Sequence, residues 1–252
     1  EELRKNALWV CTHLFTKERT WSELKHFLDL DNFADIETHL IKNSIILNKQ
    51  ELELLSDAPV YLAEEELPLF KKYIPLASET IVEIGAAYGA SALLFLLSKQ
   101  PSAKVYSIDA FTMDEKTKPP LGAPMPPCYE ICTKNVKNGL TAVGSAALFS
   151  QWQLIKGYSH DVAKTWQKKI DFIFIDGDHS YEGVKQDSDD WFPKVSKGGI
   201  IFLHDSRLLP GSSNDEFNRG WDGPTKLARQ MKKRKDIKLI DEAYSMTVWQ
   251  KT

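Results

Sequence analysis

The sequence has too few cysteines to hold itself together with disulfides: three, Cys11, Cys128 and Cys132, in 252 residues. Disulfide-dependent chains are small and dense in cysteine, so these three are expected to be reduced thiols, which points to a cytoplasmic protein. Cys128 and Cys132 stand four apart beside a proline cluster, without nearby partners to complete a zinc site. Nor is there a surplus of positive charge. Lys and Arg number 32 against 35 Asp and Glu, a formal net charge of −3. Such a balance gives no footprint for nucleic acid or an anionic membrane. The longest apolar run, Ala92 to Leu97, falls far short of the roughly 20 residues that cross a bilayer. Internal repeats and low-complexity tracts are missing too. The glycine pair in "VEIGAAYGAS" is spaced G-x-x-x-G, so it is neither the G-x-G-x-x-G dinucleotide fingerprint nor a P-loop.

What is there is an ordinary globular composition, 42% hydrophobic and 27% charged, long enough for one α/β domain and a small extra module. Residues 1–57 read as helical. Leu3, Ala7, Val10 and Leu14 follow a 3.6-residue period, and "TWSELKHFLDL" opens with Thr20 and Glu23 in capping-box positions. "NFADIETHLIKNSII" repeats the pattern. "ILNKQELELL" fits either a short hairpin, which would make the module a winged helix, or another helical turn. Eleven acids against seven bases over residues 1–57 argue against DNA binding, which needs the opposite balance. Trp9, Trp21 and Leu24 instead suggest an apolar face that packs either on a second subunit, as in a homodimer, or on the catalytic domain. Residues 58–77, with three prolines and an acidic run, read as a connector holding one helix.

From residue 78 to 252 the pattern changes. "TIVEIG", "KVYSIDAF", "WQLIKG", "IDFIFID" and "GGIIFLHD" are short apolar runs separated by helix-like sequence. Strands buried on both faces and alternating with helices predict a doubly wound, mostly parallel Rossmann-like sheet. "DIKLIDEAYSMTVWQK" adds two runs around a turn. The expected sheet therefore has seven strands, the last antiparallel to its neighbour.

Ligands of such sheets sit at the carboxyl ends of the strands, and the unusual residues fall there. Gly85 and Gly89 lie where the first strand turns into a helix, allowing close backbone approach to a ligand. Glu83 is a charge on a buried strand, costly unless it has a partner. Asp109 closes the next strand, 24 positions after Gly85, where a carboxylate can take both hydroxyls of a ribose. Loop and acid together point to a nucleoside ligand without a demand for phosphate. In "DFIFIDGDHSYEGVKQDSDDW", Asp176, Asp178 and His179 crowd the end of another strand. Asp178 is expected to cap the helix beginning near Ser180. Asp187, Asp189 and Asp190 read as a solvated face of that helix, opposite an inward stripe of Tyr181, Val184, Ser188 and Trp191. Two long loops, 112–128 and 206–222, are expected to cover the acceptor side.

Over about residues 78–250, "TIVEIGAAYGASALLFLL", "KVYSIDAF", "LIKGYS" and "IDFIFIDGDHSYEGVKQDSDDWFPKVSKGGIIFLHDS" resemble a class I S-adenosylmethionine-dependent methyltransferase. The likeness is to family 24, the macrocin O-methyltransferase-like and cephalosporin-hydroxylase-like set. The resemblance implies a methionine-side loop of Glu83, Gly85, Ala86, Tyr88, Gly89 and Ser91, and a ribose end at Asp109 and Ala110. Gly157 and Ser159 would lie near the adenine, and Asp176 at the meeting of cofactor and acceptor. It also implies that "FIDGDH" and "FLHD" lie side by side, so that Asp176 and Asp205, with His204 as a poorer ligand, hold Mg²⁺ or Mn²⁺. Asp178 or water would complete that site. His179, three residues after Asp176, takes the place of the general base, and imidazole titrates in the right range. The implied activity is metal-assisted O-methylation of a small hydroxylated acceptor, a sugar diol or a phenol. Two other readings stay open: a Rossmann-type NAD-dependent oxidoreductase, and a non-catalytic S-adenosylmethionine-binding regulator.

Overall fold

The computed structural model describes residues 48–112, 125–207 and 221–252. The helices expected over residues 1–47, with Trp9, Trp21 and Leu24, and most of the two long loops lie outside the described residues.

The first described helix, α1 (Lys49–Ser56), settles the choice left open at "ILNKQELELL". Asn48 Oδ1 accepts from the Glu51 N–H and the Glu51 carboxylate accepts from the Asn48 N–H, both at 2.9 Å. This reciprocal cap fixes a helix start, and no hairpin forms there. Leu52 and Leu55 are buried against the sheet's first face, while Leu54 points outward. In the connector, Pro68 sits in the first turn of α2 (Leu67–Tyr73), where its missing N–H costs nothing.

Seven strands follow: β1 (Thr80–Ile84), β2 (Lys104–Asp109), β3 (Trp152–Lys156), β4 (Ile170–Ile175), β5 (Val195–Leu203), β6 (Ile237–Ala243) and β7 (Met246–Lys251). They form one sheet in the order β3-β2-β1-β4-β5-β7-β6. The first five pair in parallel, and β7 runs antiparallel to both β5 and β6. Between the strands lie α3 (Ala90–Ser98), α4 (Tyr129–Ala142), α5 (Ser159–Thr165), α6 (Tyr181–Trp191) and α7 (Asp222–Met231).

Alternation along the central strands explains the two layers of helices. Phe172, Phe174, Ile200 and Phe202 point to one face, and Ile173, Ile175, Ile201 and Leu203 to the other. The first face is aromatic: Phe70 of α2 packs on Phe95, Phe174 and Phe202 at 5.1–5.8 Å between ring centres. Aromatic pairs of this kind, one edge-on and two tilted, add about 0.5–1.5 kcal/mol each beyond the area they bury. The second face is covered by Val184 and Trp191 of α6 and by Leu227, Ala228 and Met231 of α7. Strand order reverses between β1 and β4, which opens a crevice at their carboxyl ends.

Candidate active site

The loop after β1 is built by its neighbours. The Gly85 N–H donates to the Ile108 carbonyl and the Asp176 N–H to the Ile84 carbonyl, both at 2.9 Å, so the ends of β1, β2 and β4 are tied together. Gly85 has φ +91°, and a Cβ there would lie 2.0 Å from the Asp176 carbonyl oxygen. At Gly89, φ +89°, a Cβ would meet Val136 of α4 at 2.6 Å. Glycine is thus required at both positions by the chain that follows β4 and by α4.

Asp109 does more at this loop than end β2. One carboxylate oxygen accepts the Ala86 and Ala87 N–H groups at 2.9 and 2.8 Å, and the other accepts the Phe111 N–H at 2.7 Å. It thereby holds Ala87 in a left-handed conformation, φ +43°. Ala110 follows, half-buried. Tyr88 is buried against Tyr61, and its hydroxyl donates to the Met125 carbonyl at 2.6 Å.

Glu83 is fully buried beneath this loop. Ser107 Oγ donates to its Oε2 at 2.5 Å and is itself held by the Trp152 indole N–H at 2.9 Å. Burial pushes the carboxyl up to about 8, and the hydroxyls of Ser107 and Ser91 pull it back only in part. Oε1 accepts no hydrogen bond from the described residues. A buried polar atom without a partner is costly, so this oxygen fits a ligand that brings one, such as the ammonium of an amino acid, which would take the place of the carboxyl's own proton.

Across the crevice four groups converge. His179 Nε2 lies 3.3 Å from Asp176 Oδ1 and 3.7 Å from Asp205 Oδ2. His204 Nδ1 lies 3.0 Å from the same Asp176 oxygen and 3.5 Å from Asp205 Oδ2. Its Nε2 meets Glu66 Oε2 at 3.1 Å, and Glu66 Oε1 accepts both the N–H and the hydroxyl of Ser245. Burial alone would lower the His204 imidazole, but Asp176, Asp205 and Glu66 outweigh it and raise it well above its ordinary value. Burial likewise opposes ionisation of Asp176, and the two histidines win and hold it well below the usual carboxylate range. His179 is raised, its burial outweighed by Asp176 and Asp205.

Three groups, Asp176, His179 and Asp205, offer ligand atoms within 4.8 Å of one another, close enough to share a cation. Two carboxylates and an imidazole suit a borderline divalent ion such as Mn²⁺ better than Mg²⁺, which prefers oxygen throughout. His204, expected as a poorer ligand, stands outside this trio: its ring nitrogens face Asp176 and Glu66, an arrangement that favours the imidazolium over a metal ligand. Asp178 is not part of the cluster either. Its Oδ1 accepts the Ser180 N–H at 2.7 Å, and Ser180, not Asp178, caps α6 by accepting the Gly183 N–H.

The end of β3 is joined to the site from behind. The Gly157 N–H donates to the Asp109 carbonyl at 2.9 Å, and the Ser159 hydroxyl donates to Asp187. Asp187 is buried and pushed up to about 6 by that burial, so it does not belong to the solvated face with Asp189 and Asp190. The signal was present in the spacing: Asp187 is three after Val184 and four before Trp191, on the inward stripe. Glu66 and Trp221 were also missed. Trp221 stands against His179 with 4.9 Å between ring centres.

A seven-stranded sheet reversing at β1, with an acid closing β2 behind a glycine loop, defines the class I methyltransferase architecture. Residues 82–206 match the model of a family described as a methyltransferase domain, Methyltransf_24. This segment is a methyltransferase domain of that family, as the resemblance had implied. A curated protein of Acanthamoeba polyphaga mimivirus is 43% identical over 61 residues, 22% of this chain and 28% of its own length. The chain therefore spans little more than a quarter of that relative. Solved structures share the fold at low identity. A Corynebacterium glutamicum protein has 14% identity and a TM-score of 0.57, covering 93% of this chain and 98% of its own. PaMTH1, a methyltransferase from Podospora anserina solved with S-adenosylhomocysteine, has 15% identity and a TM-score of 0.54 over 87% and 94%. TomG, an O-methyltransferase from Streptomyces achromogenes solved with S-adenosylmethionine, has 14% identity and a TM-score of 0.52 over 80% and 86%.

Proposed function

We propose that this methyltransferase moves the methyl group of S-adenosylmethionine to an oxygen of a small hydroxylated acceptor. The observation that carries the reading is the pairing of two half-sites across one crevice. On the β1–β2 side, Glu83 turns a buried carboxyl oxygen without a hydrogen-bond partner among the described residues toward a loop stapled by Asp109. On the β4–β5 side, an imidazole stands among carboxylates. The fold shared with TomG and PaMTH1 supports the choice of cofactor, whose amino acid and ribose ends match Glu83 and Asp109.

When bound, S-adenosylmethionine supplies an electrophilic methyl on sulfur, and a divalent cation at Asp176 and Asp205 would lower the pKa of an acceptor hydroxyl. Glu83 accepts from the cofactor's ammonium end, and Asp109 orients the ribose while keeping Ala86 and Ala87 in place. His179 Nε2 receives the acceptor's proton and shares it with Asp176 Oδ1. His204, pinned by Glu66, fixes the rotamer of Asp176 and offsets its charge. In the cation-free site Asp176 and Asp205 raise His179; a cation on those two carboxylates would offset that pull and leave more of the imidazole as free base near neutral pH.

His179 also belongs to the trio that can share a cation, which gives it a second possible part as a ligand. One experiment separates these. Catechols and glycosides are screened as acceptors with S-adenosylmethionine, and the active ones are retested in EDTA and with Mn²⁺ restored. The reading expects loss in EDTA, recovery with Mn²⁺, and a His179→Ala variant that still binds Mn²⁺ but is slower by roughly 10²–10⁴. Full activity in EDTA refutes the cation. Loss of Mn²⁺ binding in His179→Ala makes His179 a ligand instead of the base.

A further inference from the structure

Trp221 is unusual in being large, flat, apolar and 49% exposed at the mouth of a charged cluster. Among the described large apolar side chains that are exposed, it is the one with a ring contact to that cluster, tilted 34° from the His179 imidazole. Its place is set by backbone on both sides. The Trp221 N–H donates to the Asp205 carbonyl at 2.8 Å, which ties it to the end of β5. The Trp221 carbonyl accepts the Thr225 N–H and starts α7.

The start of α7 has no freedom to slide. A Cβ on Gly223 would lie 2.3 Å from the His179 carbonyl oxygen and 2.6 Å from the Tyr181 nitrogen, so α7 lies directly on the chain that carries His179. Farther along, Lys226 Nζ sits 3.7 Å over the Tyr181 ring and the Tyr181 hydroxyl donates to Gln230. The backbone that carries the indole is thus anchored, and the ring lies against His179 with nearly half of the residue left to solvent, beside the group assigned to take the acceptor's proton. Rigid flat side chains placed this way bind flat partners at low entropic cost.

We propose that Trp221 is the platform on which the acceptor lies, and that the acceptor is therefore a ring with one apolar face and a hydroxyl at its edge. This rests on the methyl-transfer reading above and narrows it. Both a phenol and a pyranose present such a face. Stacked on the indole, either would direct its edge hydroxyl toward His179 and the Asp176–Asp205 pair. Trp221 acts by contact with the acceptor and takes no proton.

The test uses the full chain loaded with S-adenosylhomocysteine and titrated with catechol and with a methyl pyranoside as the two ring probes. Wild type is expected to bind at least one of them, and which one it prefers identifies the source of the ring. Trp221→Ala should weaken that binding by about tenfold or more, the usual worth of one stacked ring. Trp221→Phe should keep it within about threefold, and Trp221→Leu, apolar but not flat, should not restore it. S-adenosylhomocysteine affinity and the urea midpoint, measured on each variant, report that the site and fold are intact. Equal ring binding in Trp221→Ala, or full rescue by Trp221→Leu, overturns the platform. Failure of wild type to bind either ring overturns the acceptor class. Failure to bind S-adenosylhomocysteine at all strikes the methyl-transfer reading instead.

Discussion

Replacing Glu83 with Gln tests the buried carboxyl that the cofactor half-site is built on. Its pKa stands at about 8 in the folded protein against an ordinary value of 4.5, because burial disfavours the charged form. Between those limits the folded chain keeps a proton that the unfolded chain has released, so wild-type stability falls as pH rises. Each unit costs about 1.4 kcal/mol, and the window from 4.5 to 8 totals up to about 5 kcal/mol. The amide of Gln has no such proton and contributes no slope. It does bring an N–H₂ into a place with no acceptor waiting, at a cost of about 1–3 kcal/mol at all pH values. Glu83→Gln should then be the less stable protein at pH 5 and the more stable one at pH 9, with the curves crossing at about pH 6. Urea unfolding followed by circular dichroism at five pH values measures this directly. Other titrating groups such as Asp187 contribute to both proteins and cancel in the difference. A difference that stays constant from pH 5 to pH 9 refutes the reasoning. Calorimetry adds a ligand arm: S-adenosylhomocysteine, by bringing an ammonium to Oε1, should release up to one proton on binding near pH 7. Two buffers of different ionisation heat reveal it, and Glu83→Gln should abolish it.

Asp109→Ala removes the acceptor for the Ala86 and Ala87 N–H groups as well as the proposed ribose contact. It should weaken S-adenosylhomocysteine by tenfold or more, at about 1.5–3 kcal/mol per charge-assisted bond, and unchanged calorimetric affinity would remove it from the site. Gly85→Ala drives a Cβ toward the Asp176 carbonyl at a positive φ, so a loss of about 2–4 kcal/mol is expected even without ligand. An unaltered urea midpoint would show that the loop has room to move. Asp187→Asn should flatten the pH dependence of stability between about 4 and 6, where the raised Asp187 carboxyl holds a proton in the folded state and loses stability as pH climbs. The same slope in both proteins would place Asp187 in water.

The sheet was legible because burial on both faces removes the need for polar alternation. β1 and β4 are apolar apart from Thr80, Glu83 and Asp171, and the acids that end strands mark the working edge. The hairpin of β6 and β7 was readable from two runs and a turn, whereas the strand order was not, since crossovers leave no mark in local sequence. Asp176, His179 and Asp205 were brought together as the resemblance implied. What failed was assignment among identical residue types. Glu64, Glu65 and Glu66 look alike in sequence, and only the third turns inward. His204 reads as a ligand until both of its nitrogens are seen to face carboxylates. Asp187 was grouped with Asp189 and Asp190 by type, although two positions along the helix take the chain from buried Asp187 to exposed Asp189.

The link from Ser245 through Glu66 and His204 to Asp176 crosses the borders of the recognised domain. Glu66 precedes the matched segment and Ser245 follows it, so a fragment trimmed to residues 82–206 would carry the motif without its brace. The imidazolium would face one carboxylate side alone, and Asp176 would be free to turn away from the crevice. The unit that sequence comparison detects is thus smaller than the unit that can work. For this chain, a fragment that keeps the brace must reach at least from Glu66 to Ser245, well past both ends of the matched segment.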